Sequence, residues 1–263
     1  MSSSTRLTIN GYRHYNCAGI PKPLPSVTSI LSACQSEETQ RKLAAWNVLN
    51  PGEADKAAER GSWIHNAVEN YVRGLKVDPP ANYFNYWKDV PEKLDEILEG
   101  GKILWSEKPF NKPEWNKYVG TDGVGRIHHY DEKTGRGWAG CCDIIYQDKN
   151  NEIVLADFKT STGPYSSKFP SAKNLTIPET IRKALVSGVF KLRKTQLQLA
   201  AYKIAAESCF GIKIDKTQIF VSTAIPDYST QLFSFSPLEI EKHEKLWLLS
   251  VEDYYNKLEA QST

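Results

Sequence analysis

The stretch VLADFKTS, residues 154–161, most restricts the fold of this chain, because it places an acid and a base inside a run that otherwise predicts a buried strand. Side chains alternate between the two faces of a strand, so Asp157 and Lys159 share one face and Phe158 points to the other. The simplest interpretation is a satisfied ion pair. Buried pairs of this kind are weak evidence for anything more, since desolvation nearly cancels their attraction.

A second strand-like run, GWAGCCDIIYQ at residues 137–147, precedes the first, and the turn-forming residues DKNNE separate the two. The pattern predicts a β-hairpin. If its turn centres on Asn150, Asp143 lies opposite Asp157 on the same face, where Cβ atoms are about 5 Å apart and like charges repel. Two carboxylates this close require a shared proton or a divalent cation. With a cation, Lys159 would face the anion that the metal binds, an arrangement suited to phosphodiester hydrolysis.

The composition is that of an ordinary globular chain, since 40% of its 263 residues are hydrophobic, 24% are charged and the formal net charge is +2. No run approaches the roughly 18 apolar residues of a membrane span, and the N-terminus shows no targeting signal. We therefore expect a cytoplasmic protein with no membrane partner. The five cysteines show no CxxC spacing, so we expect reduced thiols and no iron–sulfur cluster.

Periodicity and turn residues predict helices flanking a mixed β-sheet, which is an α/β (α+β) fold in a single domain. We divide it into a helical N-terminal part (about 1–100), a core (about 101–236) and a C-terminal helix (about 237–260). The predicted elements are, in order, a hairpin turning at Asn10 and Gly11, a helix capped by Ser26, a helix containing Trp46, helices over 53–75 and 92–99, a strand over 103–107, a polar insertion over 108–136, the central hairpin, a helix over 194–209, two strands around Pro226 and a terminal helix.

Two of these helices carry polar pairs spaced four residues apart, which places each pair on one helix face. In GSWIHNAVE, His65 could add an imidazole ligand to a metal site, or it could form a surface pair with Glu69. In QLQLAAY, Gln198 and Tyr202 interrupt an apolar stretch. They could support a site, or they could lie at the edge of a core where each finds a partner.

The stretch from Gly163 to Lys194 is strongly basic, with seven lysines and arginines against one glutamate. We expect a mobile polar segment that closes over a single nucleic-acid strand, with Lys191, Arg193 and Lys194 contacting phosphates. The alternative is a solvated face, which most charge runs are.

The ordered motifs GSWIH, GCCD, DFK and QLQLAAY, with PSVTSIL before them and LWLLSVEDYY after them, resemble those of the RecB-like branch of the PD-(D/E)XK nucleases, nearest to the mitochondrial genome maintenance exonucleases and their bacterial and viral relatives. The resemblance implies a restriction-endonuclease-like core. It also implies a Mg²⁺- or Mn²⁺-dependent DNA exonuclease that prefers single-stranded ends or flaps, in replication, recombination or repair. The relatives imply a bacterial or phage-infected host cell, and we expect the protein to act as a monomer.

The resemblance further implies roles for individual residues. The metal ligands would be His65, Asp143, Asp157 and the backbone carbonyl of Phe158; Asp143, Asp157 and Lys159 would be catalytic; Gln198, Tyr202 and Glu107 would support the site and the DNA strand. No proline precedes Asp143, and two intervals between motifs are longer than in the mitochondrial enzymes, so strand polarity is not carried over. Two alternatives stay open: a non-catalytic DNA-binding component of a nuclease–helicase assembly, and a structure-specific endonuclease.

Overall fold

The computed structural model describes residues 5–106, 108–109, 112–120, 122–171 and 177–260. Its strands are β1 (Arg6–Ile9), β2 (Tyr12–Tyr15), β3 (Leu24–Pro25), β4 (Lys102–Ser106), β5 (Lys108–Pro109), β6 (Ile127–Asp131), β7 (Arg136–Gly140), β8 (Ile144–Gln147), β9 (Ile153–Ser161), β10 (Lys216–Thr223) and β11 (Thr230–Phe235). Its α-helices are α1 (Val27–Ala33), α2 (Glu37–Leu49), α3 (Glu53–Val72), α4 (Phe84–Trp87), α5 (Val90–Leu98), α6 (Glu179–Phe210) and α7 (Pro237–Ala260). Two short 3₁₀ helices span Pro113–Tyr118 and Pro226–Tyr228. This mixture confirms the predicted α+β class.

A mixed six-stranded sheet forms the centre of the fold, with strand order β11-β10-β9-β8-β4-β5. Strands β9 and β10 run parallel, and the other neighbouring pairs are antiparallel. Parallel neighbours need a long crossover connection, and α6 lies within the one that joins β9 to β10. A three-stranded sheet, β1-β2-β3, and the two-stranded ribbon of β6 and β7 lie outside this central sheet.

Strand β9 is buried because helices cover both faces of the central sheet. On one face, Leu155 belongs to an apolar cluster that includes Leu199 of α6 and Trp247 of α7. On the other face, Phe158 belongs to a second cluster that includes Ile64 of α3. A strand covered on both sides reads as a nearly continuous apolar run, which explains the composition around the acid–base pair of β9.

The predicted N-terminal hairpin and the predicted helix cap are confirmed. Strands β1 and β2 form an antiparallel hairpin in which Asn10 and Gly11 have φ angles of 50° and 76°. Two consecutive residues with positive φ are typical of a type I′ turn, for which Asn-Gly is a preferred pair. The hydroxyl of Ser26 accepts a hydrogen bond from the Ser29 amide at 3.0 Å, so Ser26 caps α1.

Three predictions about the middle of the chain were wrong. The run 137–147 is not one strand, because β7 pairs with β6 outside the central sheet and the segment 141–143 separates it from β8. The insertion 108–136 contains the strand β6. The last part of the basic segment, from Glu179 to Lys194, is not a loop, because α6 begins at Glu179. Its charged surface concealed a helical face on which Val189 and Leu192 are buried.

Helix α6 has 32 residues. Within the described ranges, neither this helix nor any other combines the length and the apolar character needed to cross a membrane.

Gly188 marks a close approach between α6 and the segment that follows β9. A Cβ atom on Gly188 would lie 2.2 Å from the carbonyl oxygen of Pro164 and 2.9 Å from the Cα of Tyr165. Because both are backbone atoms, the helix would have to move. We expect Gly188→Ala to lower the free energy of unfolding by about 1–3 kcal/mol, although alanine gains up to about 1 kcal/mol in helix propensity. Denaturant unfolding measures the change.

The neighbouring residue Ser187 is exposed and provides the control. Ser187→Ala should change the unfolding free energy by less than about 0.5 kcal/mol. Equal stabilities of the two variants would show that the two backbone segments can separate without cost.

Candidate active site

The pairing of β8 with β9 brings Asp143 beside Asp157. Ile144 pairs with Ala156, which is the register predicted from the position of the turn. Asp143 immediately precedes β8, and its Oδ2 accepts a hydrogen bond from the Phe158 amide at 2.6 Å. This carboxylate therefore takes the place of a strand carbonyl at the end of the ladder, next to the acidic residue of β9.

Each carboxylate lies against a basic side chain of the protein. His65 Nδ1, on α3, lies 3.1 Å from Asp143 Oδ1, and Lys159 forms an ion pair with Asp157. Burial raises the pKa of Asp157 to about 6, against the opposing charge of Lys159. Burial also acts to raise the pKa of Asp143, but His65, Lys159 and the Phe158 amide outweigh it and hold that pKa below its usual value. Asp157 is therefore the carboxylate that binds a proton more readily.

The pKa values of both bases in the site are raised, which favours their charged forms. Burial acts to lower the pKa of His65, but the adjacent Asp143 outweighs it and the pKa is raised. The pKa of Lys159 is raised in the same way, since Asp157 and Asp143 together outweigh burial. Glu69, the alternative partner of His65, instead pairs with Arg73 at 2.5 Å. The structure thus brings His65 to the acidic pair rather than to a surface pair.

The donors that a metal would use are adjacent but are engaged with one another. Among the described residues, no three histidine, cysteine, aspartate or glutamate side chains form a ready metal cage. The carbonyl oxygen of Phe158 accepts from Lys159 Nζ at 3.4 Å, which connects it to the same group of side chains. Two carboxylates, one carbonyl and one imidazole make an oxygen-rich set that suits Mg²⁺ or Mn²⁺ in kind. Binding would require His65 and Lys159 to release the carboxylates.

Helix α6 contributes Gln198 and Tyr202 to the same place. Gln198 Nε2 donates a hydrogen bond to Tyr202 Oη at 2.8 Å, and Tyr202 is only 5% exposed. The tyrosine ring reaches the site across Gly140, where a Cβ atom would lie 2.5 Å from its Cε1. The absence of a side chain at Gly140 is therefore what allows the ring to lie against the segment that carries Asp143.

Two of the three predicted basic residues of α6 lie toward the site. Lys191 donates a hydrogen bond to Ser161 Oγ, at the end of β9, at 2.9 Å. Burial, together with the charge of Lys159, lowers the pKa of Lys194. Arg193 lies elsewhere: its guanidinium is 5.5 Å from the ring centre of Phe169, and it lines a separate groove. Glu107, predicted to support the site, lies outside the described residues.

An open cleft of about 670 Å³ contains the acidic pair. Its lining includes the predicted residues His65, Asp143, Asp157, Lys159, Gln198 and Tyr202. It also includes three arginines that the sequence analysis did not single out, Arg6, Arg13 and Arg126. In the predicted hairpin, the two-residue period of strands places Arg6 and Arg13 on one face. Nothing in the sequence shows that this face lies near the acidic pair.

The solved structures that resemble this chain include two remote likenesses. No family model matches the chain, and no curated protein matches it. A solved structure called SSO0001 is 14% identical with a TM-score of 0.36, and the match covers 86% of this chain and 74% of that one. A second, named "Putative exonuclease" from Eubacterium rectale, is 11% identical with a TM-score of 0.31, and the match covers 72% of this chain and 70% of that one. TM-scores this low carry no argument about this protein's activity.

The close approach of Tyr202 to Gly140 can be measured with a double-mutant cycle. We expect Gly140→Ala to lower the free energy of unfolding by about 1–3 kcal/mol because the new methyl group overlaps the ring. In a Tyr202→Ala background the same substitution should cost much less, since the overlap is gone. Denaturant unfolding of the four proteins gives the coupling. Equal costs in both backgrounds would mean that Gly140 is required for another reason.

Proposed function

We propose that this chain is a metal-dependent deoxyribonuclease that hydrolyses phosphodiester bonds as an exonuclease acting on single-stranded ends or flaps. The observation that carries the proposal is the convergence of Asp143, Asp157 and Lys159 with His65 in one open cleft. The sequence resemblance to RecB-like PD-(D/E)XK nucleases supports the same activity. The basic side chains of α6 beside the cleft support a polyanionic substrate.

The residues of the cleft would have different roles: metal binding, stabilisation of developing charge and positioning of the DNA strand. Asp143, Asp157, His65 and the Phe158 carbonyl would hold Mg²⁺ or Mn²⁺. Such an ion supplies a Lewis acid for a phosphoryl oxygen and lowers the pKa of a bound water. Lys159, once released from Asp157, is placed to donate to an oxygen on which negative charge develops. Gln198 and Tyr202, joined by their hydrogen bond, would position the strand beside the reacting group.

The opposed carboxylates favour an enzyme over a binding component of a larger assembly. A protein that only binds a polyanion gains nothing from withdrawing two negative charges from water, since their desolvation is costly and their sign repels the ligand. A structure-specific endonuclease would use the same residues. Linear and closed circular single strands separate these activities, because only an endonuclease can cut the circle.

The proposed reaction can be tested on linear and closed circular DNA. With Mg²⁺ or Mn²⁺, the wild-type protein should degrade end-labelled linear single-stranded DNA, spare closed circles and lose all activity in a chelator. Asp157→Ala and Lys159→Ala should each slow cleavage by about 10²-fold or more, while DNA binding persists through phosphate contacts elsewhere.

Lys149 provides the control for these variants, because it lies in the turn between β8 and β9 and is 67% exposed. Lys149→Ala should cleave at the wild-type rate. Full activity of the wild-type protein in chelator, or wild-type rates for both site variants, would refute the proposal.

The proposed ligands should lose protons when the metal binds. The pKa of Asp157 is about 6 and that of His65 is raised, so both groups bind protons that a metal must displace. Metal affinity should therefore increase as the pH rises through 6 and above, and binding at neutral pH should release up to about one proton. Isothermal titration in buffers of different ionisation enthalpy measures the release.

His65→Ala should reduce both the affinity and the number of protons released. Glu69→Gln, one turn further along α3, should change neither, because Glu69 pairs with Arg73 rather than with the acidic pair. Affinity that is independent of pH would contradict the assignment of these ligands.

The basic residues of α6 should differ in their contribution to DNA binding, because they lie on different faces of the helix. Lys191→Gln with Lys194→Gln should weaken binding of single-stranded DNA and reduce the slope of log affinity against log salt by up to about 0.7 for each phosphate that is no longer neutralised. Arg193→Gln should have little effect, because its side chain lies over Phe169. Fluorescence anisotropy at several salt concentrations measures the slopes. A larger effect from Arg193→Gln would place the strand on the opposite side of α6.

A further inference from the structure

The N-terminal hairpin presents two arginines to the cleft that contains the acidic pair. Arg6 pairs with Tyr15 across the hairpin, and Thr8 pairs with Arg13. Directly paired residues, and residues two apart on one strand, point to the same face of an antiparallel hairpin, so Arg6 and Arg13 share a face. Both line the cleft, together with Tyr15. We refer to Arg6, Arg13 and the nearby Arg126 as the arginine wall.

The arginine wall is connected through the backbone to the segment that carries Asp143. The carbonyl of Arg13 accepts hydrogen bonds from the Ser26 amide at 2.8 Å and from the Ser29 hydroxyl at 2.9 Å. Ser26 in turn forms a parallel bridge with Ala139 of β7. Ala139 lies four residues before Asp143 in the chain. Three short links thus hold the hairpin in place relative to the reacting residues.

The arginine wall carries an excess of positive charge. Arg126, with a side chain only 3% exposed, pairs with Asp122 and lies 5.1 Å from the ring centre of Tyr15. Within the described part of the chain, Arg6 and Arg13 form no ion pair with a carboxylate. Their two charges therefore face the cleft without an acidic partner, whereas His65 and Lys159 each lie against a carboxylate of the site.

We propose, on the basis of the nuclease function above, that Arg6 and Arg13 form a phosphate subsite that holds the phosphodiester next to the one being hydrolysed. A guanidinium binds phosphate oxygens through two parallel hydrogen bonds, which fixes orientation as well as charge. A strand anchored there has its neighbouring phosphate directed toward Asp143 and Asp157. The subsite thereby holds the reacting bond in position. A strand without this anchor would slide relative to the acidic pair.

The first test measures binding without cleavage. A fluorescent single-stranded oligonucleotide is titrated with protein in chelator at several salt concentrations. Arg6→Gln with Arg13→Gln should weaken binding about tenfold or more and reduce the salt slope by up to about 1.4, which corresponds to two phosphate contacts. The control, Lys245→Gln with Lys257→Gln, removes the same charge from α7, and neither lysine lines the cleft.

The second test locates the contact. Oligonucleotides that each carry one neutral methylphosphonate linkage, moved stepwise along the strand, are cleaved by the wild-type protein and by the arginine variant in Mg²⁺. The wild-type rate should fall when the linkage next to the scissile bond is neutral, and the Arg6→Gln, Arg13→Gln variant should no longer distinguish that substrate. Arg6→Lys with Arg13→Lys should recover the salt slope but only part of the rate, because lysine retains charge and loses the paired geometry.

The outcomes separate this inference from the proposed function. If the wild-type protein binds the strand but cleaves nothing with either metal, the nuclease proposal fails and the subsite with it, although the arginines could still bind DNA. If the wild-type protein cleaves and the arginine variant matches the control in affinity, salt slope and methylphosphonate pattern, only the subsite is refuted. A variant that loses affinity but keeps the wild-type methylphosphonate pattern would also refute it, since the arginines would then act at a distant phosphate.

Discussion

The close pair of Asp157, which is buried, and Asp143, which is largely buried, is the constraint on which the rest of this structure depends. Charges removed from water must be compensated nearby, and here His65 and Lys159 provide the compensation. Lys159 comes from the same strand as Asp157, but His65 comes from α3, so that helix must pack against β9. The Cβ that Gly61 lacks would lie 3.9 Å from Thr160 Oγ1, which shows how near the helix comes to the strand. The site and the hydrophobic core therefore cannot be varied independently, because moving α3 away would leave a carboxylate buried without its cation.

The same compensation determines how the site can work. Without a metal, His65 and Lys159 lie against the two carboxylates, and the shifted pKa values of His65, Asp143 and Asp157 follow from these contacts together with burial. In the proposed nuclease, a divalent cation would take over the compensation, so that the imidazole becomes a neutral ligand and the ammonium group of Lys159 becomes available to the substrate. The basic side chains of the site therefore compete with the metal for the two carboxylates, and protons compete with it as well.

The parts of the site that could be predicted are those whose residues are close together in the sequence. The opposition of Asp143 and Asp157 followed from a short turn and the two-residue period of strands, and the register of Ile144 with Ala156 agrees with it. The start of α6 was missed because a basic surface on residues 179–194 obscured the buried face of Val189 and Leu192. Of the three basic residues predicted to contact DNA, Arg193 was grouped with Lys191 and Lys194 by proximity in sequence, whereas a helix separates them by face. The contribution of Arg6 and Arg13 could not be predicted, since nothing local connects a hairpin at the N-terminus to residues more than a hundred positions later.

The sequence by itself determined the local structure: the Asn10 and Gly11 turn, the Ser26 cap, the hairpin of β8 and β9, and the acid–base pair in a buried strand. These depend on φ preferences, side-chain hydrogen bonds to nearby amides and the alternation of strand faces, all of which act over a few residues. Only the tertiary structure decided that His65 meets Asp143, that Tyr202 reaches the site across Gly140, and that the N-terminal arginines line the same cleft. Those contacts result from packing α3, α6 and the β1-β2-β3 sheet around one central sheet, and packing depends on the shapes of surfaces that are brought together only when the whole chain folds.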